Sequence, residues 1–490
     1  MKLYLNHTER YPVEQLQMQL FAAEPSEFVT APFAKGENGA VSSLFTGKKY
    51  VTATAKITWN GKTGSAAKRL LREQADVRHT RRILQQSYYL AAMQVLDTVP
   101  PWGALSGVRP SKLSTKALLA GKTRRQAERE LEREFFVTPE RAKLCVDASE
   151  HTVEAIGLLA PRDLSVYIGI PFCPTRCAYC SFVSVDAPKL LKSIPDYLNA
   201  LEQEMRSTAA AVKAAGRRIV AVYVGGGTPT TLSAPELDRL LADTKACFDL
   251  SACREFTVEA GRPDTVTEEK LAVLVSHGVN RVSVNPQTMS DAVLEEIGRH
   301  HTAAQVREAV AMVKKFPQLA FNMDLIAGLP GDTPESFSDT VREVIALGAE
   351  NITVHTLALK KGSRFLTEGT ALPDGKAVGE MLGDAREKLE AAGYAPYYLY
   401  RQKFMSGSFE NVGWTKPGYE NLYNICIMEE LCGILAVGAG GSTKLTAPGG
   451  VVKRLMAPKY PREYMDRIAH TCAEKDEIVR FYNSEPKGTN

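Results

Sequence analysis

The chain has 490 residues, of which 44% are hydrophobic and 24% charged, enough for two to four ordinary cores and unlike a disordered or fibrous chain. It contains no run of 18 apolar residues, and its start, M-K-L-Y-L-N-H-T-E-R, lacks a cationic segment followed by an apolar one. Neither a membrane span nor a signal peptide is expected, and the expected compartment is the cytoplasm. The net charge of +4 is unevenly spread: residues 1–160 hold 23 Lys/Arg against 16 Asp/Glu, or +7, leaving −3 for the rest. Such a surplus could attract an anionic substrate or a polynucleotide, but solvated helix surfaces look the same, and nucleic acid is not an expected partner.

Along the chain, Lys2–Asn6 reads as a strand and Pro12–Ala22 as a helix. Tyr50–Trp59 alternates as a strand does, and Asn60-Gly61 then makes a hairpin turn into Lys62–Ser65. From Ala67 to about Leu159 the pattern is mostly helical, so residues 1–160 are expected to be an N-terminal α+β domain. From Ser165 the texture changes to short strands alternating with helices. The expected strands are Ser165–Ile170, Ile219–Val224, Glu255–Glu259, Arg281–Asn285, Phe321–Ile326 and Ile352–Leu357. Helices between them (195–215, 235–248, 268–277, 302–315 and 334–347) imply a parallel sheet with crossovers. Six units are too few for a closed (β/α)8 barrel, so residues 161–371 are expected to form an open (β/α)6 partial TIM barrel. Its functional residues should lie at the C-terminal strand ends. Residues 372–490, with a helix over 377–392, an aromatic P-Y-Y-L-Y-R and a Gly-rich V-G-A-G-G-S-T-K, are expected to be a mainly helical lid.

Nine cysteines form no even framework, but three fall within eight residues in Y-I-G-I-P-F-C-P-T-R-C-A-Y-C-S-F, directly after the first barrel strand. Cys173, Cys177 and Cys180 have C-x3-C-x2-C spacing. Three such thiolates can hold three corners of an iron–sulfur cubane and leave one iron open. Zinc would want a fourth ligand, or His, and no His lies in the motif. Gly225-Gly226-Gly227-Thr228-Pro229 ends the second strand, where glycines permit close backbone approach and N–H groups can meet a ligand; a plain βα turn would look the same.

This cysteine motif after a first barrel strand resembles the radical S-adenosylmethionine (SAM) superfamily. Residues 165–445 resemble its oxygen-independent coproporphyrinogen III dehydrogenase (oxidase) group, most closely the HemZ-type branch. The resemblance implies a [4Fe–4S] cluster on Cys173, Cys177 and Cys180, whose open iron chelates SAM. One electron then splits SAM into methionine and a 5′-deoxyadenosyl radical. It also implies cofactor contacts from Tyr167, Tyr179, Gly226, Gly227, Thr228, Glu259, Gln287, Arg299, Asp324, Ala358 and Ser442, with Tyr167 at the reacting centre. The implied reaction converts two propionates of coproporphyrinogen III to vinyl groups, giving protoporphyrinogen IX in anaerobic haem biosynthesis. The implied partners are this tetrapyrrole and a low-potential electron donor such as flavodoxin or ferredoxin. Arg401 and Lys444 are candidate propionate anchors.

The chain departs from the best-known branch at Gly169, where that branch has His, and at Phe182, where it has a fourth cysteine. C-x3-C-x2-C-x-F is shared with haem-chaperone relatives, whose H-N-x-x-Y-W segment reads Y-N-I-C-I-M here. Three readings therefore stand: a decarboxylating enzyme, a haem carrier, and a radical SAM enzyme with another substrate, RNA included.

Overall fold

The computed structural model describes every residue except 22–23, 33–35, 181–184, 187–189, 359–362, 403–405 and 485–490. The chain divides into two compact units, Met1–Ser149 with Tyr400–Glu410, and Glu150–Leu399 with Asn411–Asn490.

The first unit is built on a five-stranded sheet of order β2-β1-β3-β4-β5, where β1 is Lys2–Leu5, β2 Glu27–Val29, β3 Gly39–Thr46, β4 Tyr50–Trp59 and β5 Lys62–Leu71. In β4, Val51, Ala53, Ala55 and Ile57 are buried while the threonines between them are half-buried, the period-2 pattern of a sheet with one covered face. The cover is the helices Arg10–Leu20 and Val77–Ala92, through Val13, Leu16, Leu84 and Tyr88. β5 corrects one expectation. It runs to Leu71 rather than ending at Ser65, because its ten residues pair along the whole of β4, and the helix begins only at Val77, capped by the Asp76 side chain. A buried trio ties the short second piece into this unit. Trp102 Nε1 donates to Glu410 Oε2 at 2.7 Å, and Arg141 Nε faces Glu410 Oε1 at 2.8 Å.

The second unit carries the six expected strands as β6 (Asp163–Ile170), β9 (Arg218–Gly226), β10 (Glu255–Glu259), β11 (Arg281–Ser283), β12 (Ala320–Ala327) and β13 (Asn351–Thr356), with β7 (Phe172–Cys173) and β8 (Val185–Asp186) forming a separate small ribbon. The six pair in parallel in the order β6-β9-β10-β11-β12-β13, the open (β/α)6 partial barrel. The sheet then takes in five strands from the C-terminal stretch. β14 (Ala395–Tyr400) and β15 (Asn411–Thr415) extend it beyond β13; β16 (Gly433–Val437), β17 (Ser442–Ala447) and β18 (Val451–Met456) extend it beyond β6. β16 lies parallel to β6, and Ala436 is opposite Tyr167.

Parallel strands covered on both faces are usually continuous hydrophobic runs. These are not. Tyr167, Tyr223, Glu255, Thr257, Glu259, Arg281, Ser283, Asn322, Asp324, Asn351, Thr353 and His355 alternate with Val, Ile, Leu, Met and Phe. The apolar half packs under helices such as Ile194–Ala214 and Pro334–Leu347, and the polar half lines the barrel interior. The helix Leu422–Glu429 closes the end where the strands begin. Its first backbone N–H groups, at Leu422 and Tyr423, donate to the Glu255 carboxylate at 2.8 and 3.0 Å, and Arg281 Nε completes the seat at 3.0 Å from Glu255. Among the described residues no helix is long and apolar enough to cross a membrane.

Candidate functional site

The cysteine loop leaves β6 at the C-terminal end of the sheet, and both its flanks are fixed by backbone. Gly227 N donates to Ile170 O and Thr228 N to Phe172 O, each at 2.8 Å, while Ala178 N donates to Ile297 O at 3.0 Å. Cys173, Cys177 and Cys180 are half-buried, and none is in a disulfide. Thr228 Oγ1 lies 3.6 Å from Cys173 Sγ. No three His, Cys, Asp or Glu side chains among the described residues converge on one metal-ion position. A cubane does not ask them to, since each thiolate binds its own iron.

The glycine turn fits the loop closely. A Cβ on Gly227 would fall 2.6 Å from Phe172 O and 3.0 Å from Cys173 Sγ, and Gly226 has φ +113°, so neither position admits a side chain. The turn corrects one expectation. Its N–H groups are not open to a ligand: those of Gly227 and Thr228 are engaged as above, and that of Gly226 serves the Glu259 carboxylate.

Glu259 ends β10 and leans back against Gly225, whose missing Cβ leaves room for it: an added one would sit 3.0 Å from the carboxyl carbon. Tyr223 OH donates to Glu259 Oε1 at 2.6 Å. Burial raises the Glu259 carboxyl to about 7, with the charge of Asp324 adding to the shift and the bonds from Tyr223 and Gly226 opposing it. The carboxyl is thus held more easily as the acid in the folded than in the unfolded chain, so stability present below the ordinary Glu range is lost as pH rises toward and through 7. Glu259→Gln is accordingly expected to be more stable than the parent at pH 8, by up to roughly 3 kcal/mol, with the gap closing by pH 4.5. Melting curves of the cluster-free protein at the two pH values measure it, and a gap independent of pH would refute the assignment.

Tyr167 lies in the barrel with Tyr223 and Tyr423. Their ring centroids are 6.3 Å (Tyr167–Tyr223), 6.4 Å (Tyr167–Tyr423) and 4.5 Å (Tyr223–Tyr423) apart, all near-parallel. Burial pushes all three phenols up, so they stay protonated. Gln287, just beyond β11, is buried with φ +70°, an uncommon backbone for a non-glycine residue. Two bonds to β12 hold it there, Gln287 N to Asp324 O and Ile326 N to Gln287 O, both 2.9 Å. Asp324 accepts from Asn322 Nδ2 at 2.7 Å and has His355 Nε2 at 3.8 Å from its other oxygen. Ala358 is half-buried two residues beyond β13.

Arg299 is buried beside the cysteine loop. It donates to the carbonyls of Asn285 and Gly261 and interacts with Cys177 and Tyr179, while its Nε has no hydrogen-bond partner among the described residues. The expected ligand role is thereby joined by a bracing one. Ser442 stands apart: it is exposed at the start of β17, opposite Met456 on the hairpin outside β16. Neither expected anchor is available. Lys444 Nζ pairs with Glu430 at 3.3 Å, and Arg401, in the first unit, is buried over Trp102 and donates to the carbonyls of Leu105 and Ser408. Phe182, at which the branches differ, lies outside the described residues.

Sequence reading misses Tyr223, Tyr423, Asn322 and His355. Tyr223 and Asn322 do carry a signal, being two residues from Gly225 and Asp324 on strands of period 2. A cleft of about 440 Å³ opens at the opposite end of the strands, beside Arg254, Asn280, Glu350 and Tyr419. Arg254 is bound to Leu158 O and Arg281 to Glu255, and the cysteine loop is at the other end of the sheet, so the chemistry lies away from this cleft.

The profile of the radical SAM superfamily matches residues 167–344. The oxygen-independent coproporphyrinogen-III oxidase-like protein HemZ of Bacillus subtilis is 38% identical over 380 residues, 76% of each chain. The haem chaperone HemW of Haemophilus influenzae is 32% identical over 304 residues, 62% of this chain and 76% of that one. The solved coproporphyrinogen III oxidase HemN of Escherichia coli shares the fold, with a TM-score of 0.52 and 21% identity over 67% of this chain and 81% of that one. The half-buried thiols, the glycine cradle against Cys173 and the unpartnered Arg299 Nε suit the group these relatives imply. The chain belongs to the radical SAM superfamily, in its oxygen-independent coproporphyrinogen-III oxidase-like family, and its cofactors are a [4Fe–4S] cluster and SAM.

Proposed function

We propose that the protein oxidatively decarboxylates two propionates of coproporphyrinogen III to vinyl groups, giving protoporphyrinogen IX, with a low-potential protein such as flavodoxin or ferredoxin as electron donor. The observation that carries this reading is Tyr423. At the place where haem-chaperone relatives have the His of H-N-x-x-Y-W, this chain has a phenol, stacked at 4.5 Å on Tyr223 inside the barrel and below Glu259.

On this reading Cys173, Cys177 and Cys180 hold the cluster, which with SAM supplies hydrogen-atom abstraction when bound. Gly226 and Gly227 let the turn pack against Ile170, Phe172 and Cys173, which would hold Cys173 in place for the cluster, and Thr228 supports Cys173. Tyr167 on β6, Glu259 at the end of β10, Gln287 beyond β11 and Asp324 on β12 would present polar groups to SAM, and Arg299 and Tyr179 hold the loop. The helix seated on Glu255 keeps water from entering beneath. At each propionate the overall change is loss of one hydrogen atom, which the 5′-deoxyadenosyl fragment of bound SAM would accept to become 5′-deoxyadenosine, of one electron, which passes to an external one-electron acceptor, and of CO2, leaving the vinyl carbons.

A second reading, a haem carrier, is favoured by the relatives named haem chaperone. One experiment separates the two. The reconstituted protein is incubated anaerobically with SAM, reductant and coproporphyrinogen III. The enzyme is expected to release 5′-deoxyadenosine faster with the porphyrinogen than without it and to yield protoporphyrinogen IX. Unchanged release, together with tight binding of haem, would replace the enzyme reading with the carrier.

A further inference from the structure

The cluster takes its electron from outside, so a donor protein must seat near the cysteine loop. β17 and β18 form an antiparallel hairpin beyond β16, with Met456 opposite Ser442. Because β16 runs parallel to β6 and β17 antiparallel to β16, β18 finishes at the end of the sheet from which the cysteine loop leaves. Three strand spacings separate β18 from β6, about 14 Å across the sheet.

The segment from Lys453 to Arg462, K-R-L-M-A-P-K-Y-P-R, holds four Lys/Arg and no Asp/Glu. Lys453 pairs with Glu477. The side chains of Arg454, Lys459 and Arg462 are exposed and have no hydrogen-bond or ion-pair partner among the described residues. The next carboxylate along the chain, Glu463, is taken by Arg467 at 3.5 Å. Between these cations Met456 and Tyr460 are 62% and 55% exposed. Arginine, methionine and tyrosine are enriched where proteins meet. Charges on an edge strand also guard it against pairing, but Lys459 and Arg462 lie past the end of the strand.

Backbone joins this patch to the cysteine loop. Ala457 N donates to Gly441 O at 2.9 Å, and Gly440 N to Pro458 O at 2.8 Å. Gly438, in the same turn, packs so closely on β6 that a Cβ there would fall 2.5 Å from Gly169 O. Gly169 is four residues before Cys173.

We infer that Arg454, Lys459 and Arg462, around Met456 and Tyr460, form the docking surface of a flavodoxin that reduces the cluster. A flavodoxin is small and acidic, and its flavin presents an apolar methyl edge ringed by carboxylates, the complement of an apolar centre ringed by cations. The two-electron-reduced flavin gives up one electron and the cluster takes it, with no bond formed or broken. This rests on the protein-donor reading above.

The test uses the cluster-loaded protein with SAM, under anaerobic conditions and without coproporphyrinogen. Binding of oxidised flavodoxin is measured by titration calorimetry, and electron transfer by rapid mixing with reduced flavodoxin, read as loss of reduced flavin. The double variant Arg454→Glu, Arg462→Glu is expected to lose at least about tenfold in both at low salt, and Arg454→Gln, Arg462→Gln to lose less. The parent's affinity should fall as salt rises. Reduction by dithionite, which needs no docking, should be alike in all, and with iron content it checks the fold. Lys213→Glu with Lys245→Glu, in the last turns of helices Ile194–Ala214 and Ala234–Cys247 where the strands begin, changes net charge equally and should alter neither reading. Equal affinity and rate in the parent and the arginine-to-glutamate variant would overturn the inference. So would an equal loss in the lysine variant, a matching loss with dithionite, or a parent that does not bind flavodoxin. Self-association abolished by the arginine changes while flavodoxin still binds would assign the face to a second copy instead. If flavodoxin reduces the cluster through this face yet coproporphyrinogen is not turned over, the reaction fails and the docking surface stands. If coproporphyrinogen is turned over and the variants accept electrons at the parent's rate, the docking surface fails and the reaction stands.

Discussion

Replacing Cys173, Cys177 or Cys180 by alanine is expected to abolish cluster binding, each change alone being sufficient. After anaerobic reconstitution the parent should hold about four irons and four sulfides per chain, and each variant close to none. The loop explains why no neighbour can substitute. The flanking backbone is tied to β9 and to Ile297, and the glycine turn presses on Cys173, so another donor cannot be drawn in without breaking those bonds. Of the other six cysteines, Cys145, Cys426 and Cys432 are buried as small apolar residues, and changing any of the six should leave the iron in place. Iron analysis and the visible absorption of the cluster measure both halves. Stoichiometric zinc without sulfide in freshly isolated protein would sink the assignment.

The largest stability effect is expected at Lys475. Glu204, fully buried on the helix Ile194–Ala214, takes Lys475 Nζ at 2.6 Å, Tyr464 OH at 2.6 Å and Gly438 N at 2.7 Å. Tyr197, two turns earlier on the same helix face, donates to Gly169 O at 2.7 Å and accepts from Ala439 N at 2.9 Å. Together they hold the Gly438–Ala439 backbone against the end of β6. Lys475→Ala leaves an uncompensated buried carboxylate, which costs about 3–5 kcal/mol. The double variant Glu204→Gln, Lys475→Met removes both charges and should regain most of that loss. Urea unfolding of the three proteins decides it: a double variant as unstable as Lys475→Ala would mean that the unpaired charge is not the cause.

The barrel is legible in the sequence because its strands are bounded by turns and its helices are long and regular. All six strands fall within about two residues of where the texture places them, and Glu255–Glu259 and Pro334–Leu347 match to the residue. The five strands after residue 371 are not legible. Short stretches such as Ser442–Ala447 and Val451–Met456 have mixed, mostly exposed side chains, and only pairing with a neighbour makes them strands. The site divides in the same way. Residues in dense local motifs, the cysteines and glycines, can be read directly. Arg401 and Lys444 stand out by charge alone, and charge does not reveal that a carbonyl or carboxylate already holds it. His355 and Tyr423 escape a sequence reading because their value comes from register and from what faces them across the barrel.

The neighbour of β6 in the sheet is β16, more than 260 residues later in the chain. During synthesis the first barrel strand therefore emerges with one edge that must wait for almost the whole protein before its backbone is paired. The Glu255 carboxylate waits likewise for the helix at Leu422–Glu429, so the interior stays open from below until late. Exposed strand edges recruit other chains, and long-range pairing is slow to form. A ribosome stalled or a gene truncated near residue 371 should thus release a barrel with all six strands and a tendency to aggregate, and the order in which segments leave the ribosome becomes part of how this protein escapes aggregation.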